Sequence, residues 1–321
     1  MRSEGEPEIS TTSSQAEDVT ADATGTTPAT AGGAGARSGG TPGASLDIVR
    51  QPAYGQGIVV SLVIAAAVFV LAIMAIRDAE TSGIPLTETT GPLFWGLAIL
   101  VIAAAGAGAQ YSEVTAARAA ESLGYPRRES SLPSAWAVPT VATAAAVLLV
   151  ATHHNRTMLI VGPVIAFLGV AGALLSRDLL DDATEATHRT AATIHALVIH
   201  VVGFLAFSGV YLNKLTSWIS APLIGIFAGI LIIESLERGL ADRTRRIGYA
   251  VLGGAIMAEA TIALNWWPTY GWTGGGVLLA CFYLISGLLL AHTQHDALRR
   301  RDIVEFGAVA SAALILLAIT A

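Results

Sequence analysis

The chain has 321 residues, 53% of them hydrophobic and only 13% charged, about half the charged fraction of an ordinary soluble domain. With a mean hydropathy of +0.62, that composition excludes a water-soluble globule. The net charge of −6 comes largely from the first fifty residues, so it describes a tail and implies no nucleic-acid partner.

Met1 to Arg50 is built from Ser, Thr, Gly, Ala, Pro and acids, too little apolar surface to offset the entropy of ordering, and is expected to be a disordered acidic tail. The stretch after Arg2 is acidic and polar, where a secretory signal needs an apolar core directly after a basic start. Residues 51–321 form the expected membrane domain.

A hydrocarbon layer about 30 Å thick needs roughly 20 apolar helical residues per crossing. Nine runs meet that need, running Gly57 to Ile76, Pro92 to Ala109, Ser134 to Thr152, Met158 to Ser176, Ala191 to Leu212, Trp218 to Ile233, Ile247 to Leu264, Thr273 to Ala291 and Phe306 to Ala321. The sixth and ninth are the shortest. The expected fold is an all-α polytopic bundle of nine spans. Loops taken alternately divide the basic residues fifteen to three. The N-terminal side holds all the arginines except Arg77 and Arg156, which join Lys214 opposite. Positive residues of short loops stay in the cytoplasm, so the N-terminus is expected inside and the C-terminus outside, in a cell (inner) membrane.

Trp95, Trp218, Trp266, Trp267 and Trp272 fall at outer ends of these runs, with Trp136 at an inner end, as interfacial aromatics do. Small residues four apart, Gly225 with Gly229 and Gly169 with Ala173, predict close helix packing. Cys281 is the single cysteine and lies in an apolar run, so neither an intrachain disulfide nor a cysteine metal cluster is available. No cofactor is expected.

Glu259 stands out as the one formal charge deep in any of the runs. Burying an ionised carboxylate there is expensive, so it should be protonated or paired. Its depth, roughly 18 Å from the cytoplasmic end, is close to the roughly 15 Å of His200, so the two meet if spans five and seven pack together. His195 lies nearer the cytoplasmic mouth. One reading is a proton relay or polar substrate site; the other is polar glue between helices.

Between spans four and five runs Arg177-Asp178-Leu179-Leu180-Asp181-Asp182-Ala183-Thr184-Glu185-Ala186-Thr187-His188-Arg189. On a helix, Asp178, Asp182 and Glu185 share a face, and grouped oxygen ligands can hold Mg²⁺ to a diphosphate. The alternative is a solvated loop with internal Arg to acid pairs. This run resembles the aspartate-rich loops of the intramembrane prenyltransferases related to UbiA, which implies nine spans and cytoplasmic catalytic loops. It departs from them in lacking the Asn-Asp opening, and no second aspartate-rich loop matches.

At the outer turn after span seven, Trp266, Trp267, Tyr270 and Trp272 surround Pro268 and Gly271, ahead of the triplet Gly274 to Gly276. They offer either a stacking platform for sugar, quinone or lipid headgroup, or an interfacial belt. The triplet permits close backbone approach. The Asn265-Trp266-Trp267-Pro268 turn followed by a glycine-rich span resembles uncharacterised multi-pass proteins of bacterial genomes, which implies no particular activity. His292, His295 and Asp296, mixed with Arg299 to Arg301, suggest a juxtamembrane basic patch that attracts anionic lipid.

The leading expectation is a transporter-like or accessory membrane component without a recognisable catalytic site. A rival is an intramembrane enzyme acting on a lipid or isoprenoid diphosphate from the cytoplasmic side; a third is a structural subunit of a membrane complex. The bilayer is the expected partner, with a membrane protein or a second copy as further candidates.

Overall fold

The computed structural model describes residues 52–78, 91–122, 132–153, 155–181, 187–213, 215–237, 242–267, 272–295 and 297–320. The acidic tail lies outside them. Among the described residues the fold is all helix: α1 (Pro52–Asp78), α2 (Pro92–Ser122), α3 (Ala137–Thr152), α4 (Met158–Asp181), α5 (His188–Leu212), α6 (Ser217–Ser235), α7 (Arg243–Asn265), α8 (Trp272–His295) and α9 (Arg300–Thr320). Proline opens α1 and α2, where its missing N–H costs no helical bond. Asp242 caps α7, its carboxylate accepting from the Arg245 N–H at 3.2 Å, which satisfies one of the orphan donors of the first turn.

Eight of these helices are long and apolar enough to cross a membrane. The exception is α3, with 16 residues, about 24 Å long at 1.5 Å per residue. The sequence marks the sixth and ninth runs as shortest; the structure makes α3 the shortest instead. The reason is its position. All but two of its residues are buried, it packs against α1, α2, α4, α5 and α6, and it joins both hydrophobic cores of the bundle.

An alanine-rich helix can accept so many neighbours only if they come close. They do so with glycine: Gly106 of α2 faces Thr140, Gly162 and Gly169 of α4 face Val150 and Ala142, and Gly209 of α5 faces Leu148. The same device joins α6 to α7, the most extensive helix pair. A β-carbon on Gly225 would sit 2.8 Å from the Gly254 carbonyl oxygen, and one on Gly229 would sit 3.1 Å from that of Ala250. The expected Gly225/Gly229 and Gly169 contacts are therefore present. Gly274 and Gly275 let α8 approach Tyr211 and Ser208 of α5.

Consecutive helices run antiparallel, so the bundle has two ends. At one, Asn265 donates to the Ser217 and Ser220 hydroxyls at 2.9 and 3.2 Å, and His153 stacks on Trp272 with centroids 6.5 Å apart. Trp218, Trp266, Trp267 and Trp272 are exposed there. The opposite end carries most of the arginines.

Candidate functional site

At the arginine-rich end, hydropathy alone would stop span four at Ser176 and span six at Ile233. Both helices continue, and the charges that follow turn inward. Arg177, near the end of α4, is 6% exposed; Glu234, on the last turn of α6, is 4% exposed. The Arg177 Nη1 donates to Glu234 Oε1 at 2.7 Å. Its guanidinium also forks onto Glu237, Nη2 to Oε1 and Nη1 to Oε2, each at 2.5 Å. Glu113 of α2 lies 3.6 Å from the Arg177 Nε. One planar cation thus gathers three carboxylates, the geometry in which arginine exceeds lysine.

Two further helices join. The Ser134 hydroxyl, just before α3, donates to Glu237 Oε2 at 2.7 Å. His195, buried in α5, places Nε2 3.2 Å from Glu234 Oε1 and Nδ1 3.0 Å from the Ser176 Oγ. Ser176 is also 3.1 Å from the Ala173 carbonyl. From α7 comes Arg246, 1% exposed. It donates to the Ile233 carbonyl at 2.8 Å and lies within electrostatic range of Glu237 and Glu234. Arg246 Nε and Nη1 and Glu234 Oε2 are buried with no hydrogen-bond partner among the described residues. Such a network is expensive, since each ion taken from water costs several kcal/mol before its partners offset that loss.

The hydrogen bonding around His195 accommodates two protonation states without moving a heavy atom. With one proton, on Nε2, the ring donates to Glu234 and accepts from the Ser176 hydroxyl. With two, Nδ1–H donates to Ser176, whose own proton turns to the Ala173 carbonyl. Hydroxyl, imidazole and carboxylate form an unbroken line. Among the described residues, Glu113, Glu234 and Glu237 face the guanidinium of Arg177, and Arg246 adds a second guanidinium beside Glu234 and Glu237.

The sequence candidates fare unequally. His195 lies in this network. His200, one and a half turns on, donates from Nδ1 to the Ala196 carbonyl at 2.7 Å, and its ring packs on Phe282 and Tyr283 of α8. Glu259 is exposed on the outside of α7. It does not meet His200, because α5 and α7 are not close-packed neighbours. Other charges are helical too, but toward helix ends: Glu113, Arg177, Glu234 and Arg246.

Asp178 is half-buried near the end of α4, while Asp182 and Glu185 lie outside the described residues. Among the described residues no group of three His, Cys, Asp or Glu side chains could hold a metal ion. Trp266, Trp267 and Trp272 are 87%, 60% and 45% exposed, so they are not gathered into a pocket; Tyr270 lies outside the described residues. The acids and arginines of the network were visible in sequence only as charges at matching ends of apolar runs, a signal of depth without adjacency.

Comparison with curated proteins and with solved structures gave no match. Residues 74–320, most of the chain, match the family model described as "Protein of unknown function (DUF5656)". An all-helical, apolar bundle matched over that length makes this chain a member of the DUF5656 family.

Proposed function

We propose that this chain is a transporter-like protein of a bacterial inner membrane, with nine spans, its N-terminus in the cytoplasm, and a proton-handling centre at its cytoplasmic end. Orientation is argued from the fifteen-to-three division of basic residues, because such residues are retained on the cytoplasmic side. The nine spans follow from counting α3 as a short crossing enclosed by its neighbours.

The observation that carries the functional reading is the line Ser176, His195, Glu234, Arg177. Charged groups inside a helical membrane bundle mark ion pathways and proton relays more often than they add stability. Histidine moves protons near neutral pH, and this one stands between a hydroxyl and a carboxylate within hydrogen-bond distance of both. Around it, one guanidinium ties α2, α4 and α6 together while Ser134 and His195 bring in α3 and α5.

Purified protein in vesicles loaded with a pH-sensitive dye tests this. Under an imposed membrane potential, vesicles with the wild-type chain acidify faster than protein-free vesicles, and Glu234→Gln or His195→Phe removes the excess. Equal rates for protein-containing and empty vesicles would refute proton handling.

A further inference from the structure

Between α6 and α7 an apolar groove opens on the surface of the bundle. Its floor is backbone: a β-carbon on Gly225 or Gly229 would strike the α7 carbonyls of Gly254 and Ala250, so the helices meet there with no side chain between them. Ile226 of α6 and Val251 of α7 rise beside that floor, both more than half exposed. The helices are antiparallel, so Pro222 lies opposite Ala258 at one end and Ile233 opposite Ile247 at the other. On either helix these ends are about 16 Å apart at 1.5 Å per residue, close to half of a hydrocarbon layer about 30 Å thick. No polar side chain lines the groove. A solute that needs hydrogen bonds finds no partner there, and a hydrocarbon chain needs none.

The Ile233 and Ile247 end of the groove opens toward the arginine-rich end of the bundle. Arg243 is the first residue of α7, one turn before Ile247 and on the same face by its four-residue spacing. Helical side chains lean toward the N-terminus, which carries this guanidinium past the end of α7 to the level of the headgroups. Arg243 is exposed and has no hydrogen-bond or ion-pair partner among the described residues. The acids nearest to it in sequence are engaged elsewhere: Asp242 caps α7 and lies 3.9 Å from the Arg245 Nε, and Glu237 is held by Arg177.

We propose that this groove binds an anionic phospholipid of the cytoplasmic leaflet, with one acyl chain between α6 and α7 and the phosphate on Arg243. The two ends of the site choose the occupant together. An apolar channel one leaflet long takes a lipid tail, and an unpaired guanidinium at its mouth takes the anion that a phospholipid carries where its tail ends. In a zwitterionic lipid the headgroup's own cation competes for that phosphate. A helix from another protein chain would fill the apolar part and leave Arg243 without its anion. The inference rests on the membrane reading and orientation of the chain, and not on the proton-handling centre.

Photo-labelling of the full chain in vesicles tests it, with a diazirine in the acyl chain of either phosphatidylglycerol or phosphatidylcholine and the labelled peptides read by mass spectrometry. Leu62 and Val63, exposed on α1, report ordinary lipid contact in the same molecules, and an unchanged α1 pattern shows that a variant is folded. The groove takes up phosphatidylglycerol about fivefold more than phosphatidylcholine, the equivalent of about 1 kcal/mol for one arginine near the membrane surface. Leu62 and Val63 label equally with both. Arg243→Gln abolishes the preference of the groove. Ala255→Phe, which puts a ring into the groove, lowers its labelling by both lipids and leaves that of α1 unchanged. Equal labelling of the groove by the two lipids, a preference that survives Arg243→Gln, or a groove that neither lipid labels would each overturn the proposal. None of these readouts depends on proton flux.

Discussion

Arg177 of α4 and Glu234 of α6 lie 2.7 Å apart, nitrogen to oxygen, although their helices are not close-packed neighbours along their lengths. The pair bridges the end of the enclosed α3, and Glu237 and His195 complete its shell.

Removing one side of this pair leaves buried charge without compensation. Arg177→Met is therefore expected to destabilise the folded chain by about 3–5 kcal/mol. Arg177→Lys should recover only part of that, since an ammonium cannot fork onto Glu237. Combining Arg177→Met with Glu234→Gln should cost less than the two changes summed, by about 0.5–3 kcal/mol. Equilibrium unfolding in detergent micelles measures all four variants.

The α6–α7 joint makes a separate prediction. Gly225→Leu or Gly254→Val forces a side chain into a neighbouring backbone and should destabilise by about 1–3 kcal/mol. Gly96→Ala on α2, where a β-carbon meets nothing within 4 Å, should be neutral or stabilising by up to about 1 kcal/mol, because alanine is the better helix former. Thermal unfolding of the three variants in one detergent makes the comparison.

The all-helical class and the glycine contacts were legible in the sequence because each is a local property: composition, run length and four-residue spacing. The network was not. A lone charge ends an apolar run, so the fourth run stopped at Ser176 and the sixth at Ile233, one residue short of Arg177 and of Glu234. In the folded chain each charge meets its opposite, and the helices continue through them. Glu259 misled for the complementary reason. Depth along α7 can be read from a sequence, but the face on which a residue lies depends on which helices are neighbours. His195 and His200, five residues apart, separate in the same way, one facing Glu234 and the other Phe282.

The side of the membrane on which Arg177, Glu234 and His195 sit decides whether they can form a cytoplasmic proton-handling centre. A dual reporter fused after Ala321 reads it directly. Nine spans with the N-terminus inside require a fused alkaline phosphatase to be active and a fused fluorescent protein to be dark. A bright fluorescent protein with silent phosphatase would place the C-terminus in the cytoplasm and contradict that topology.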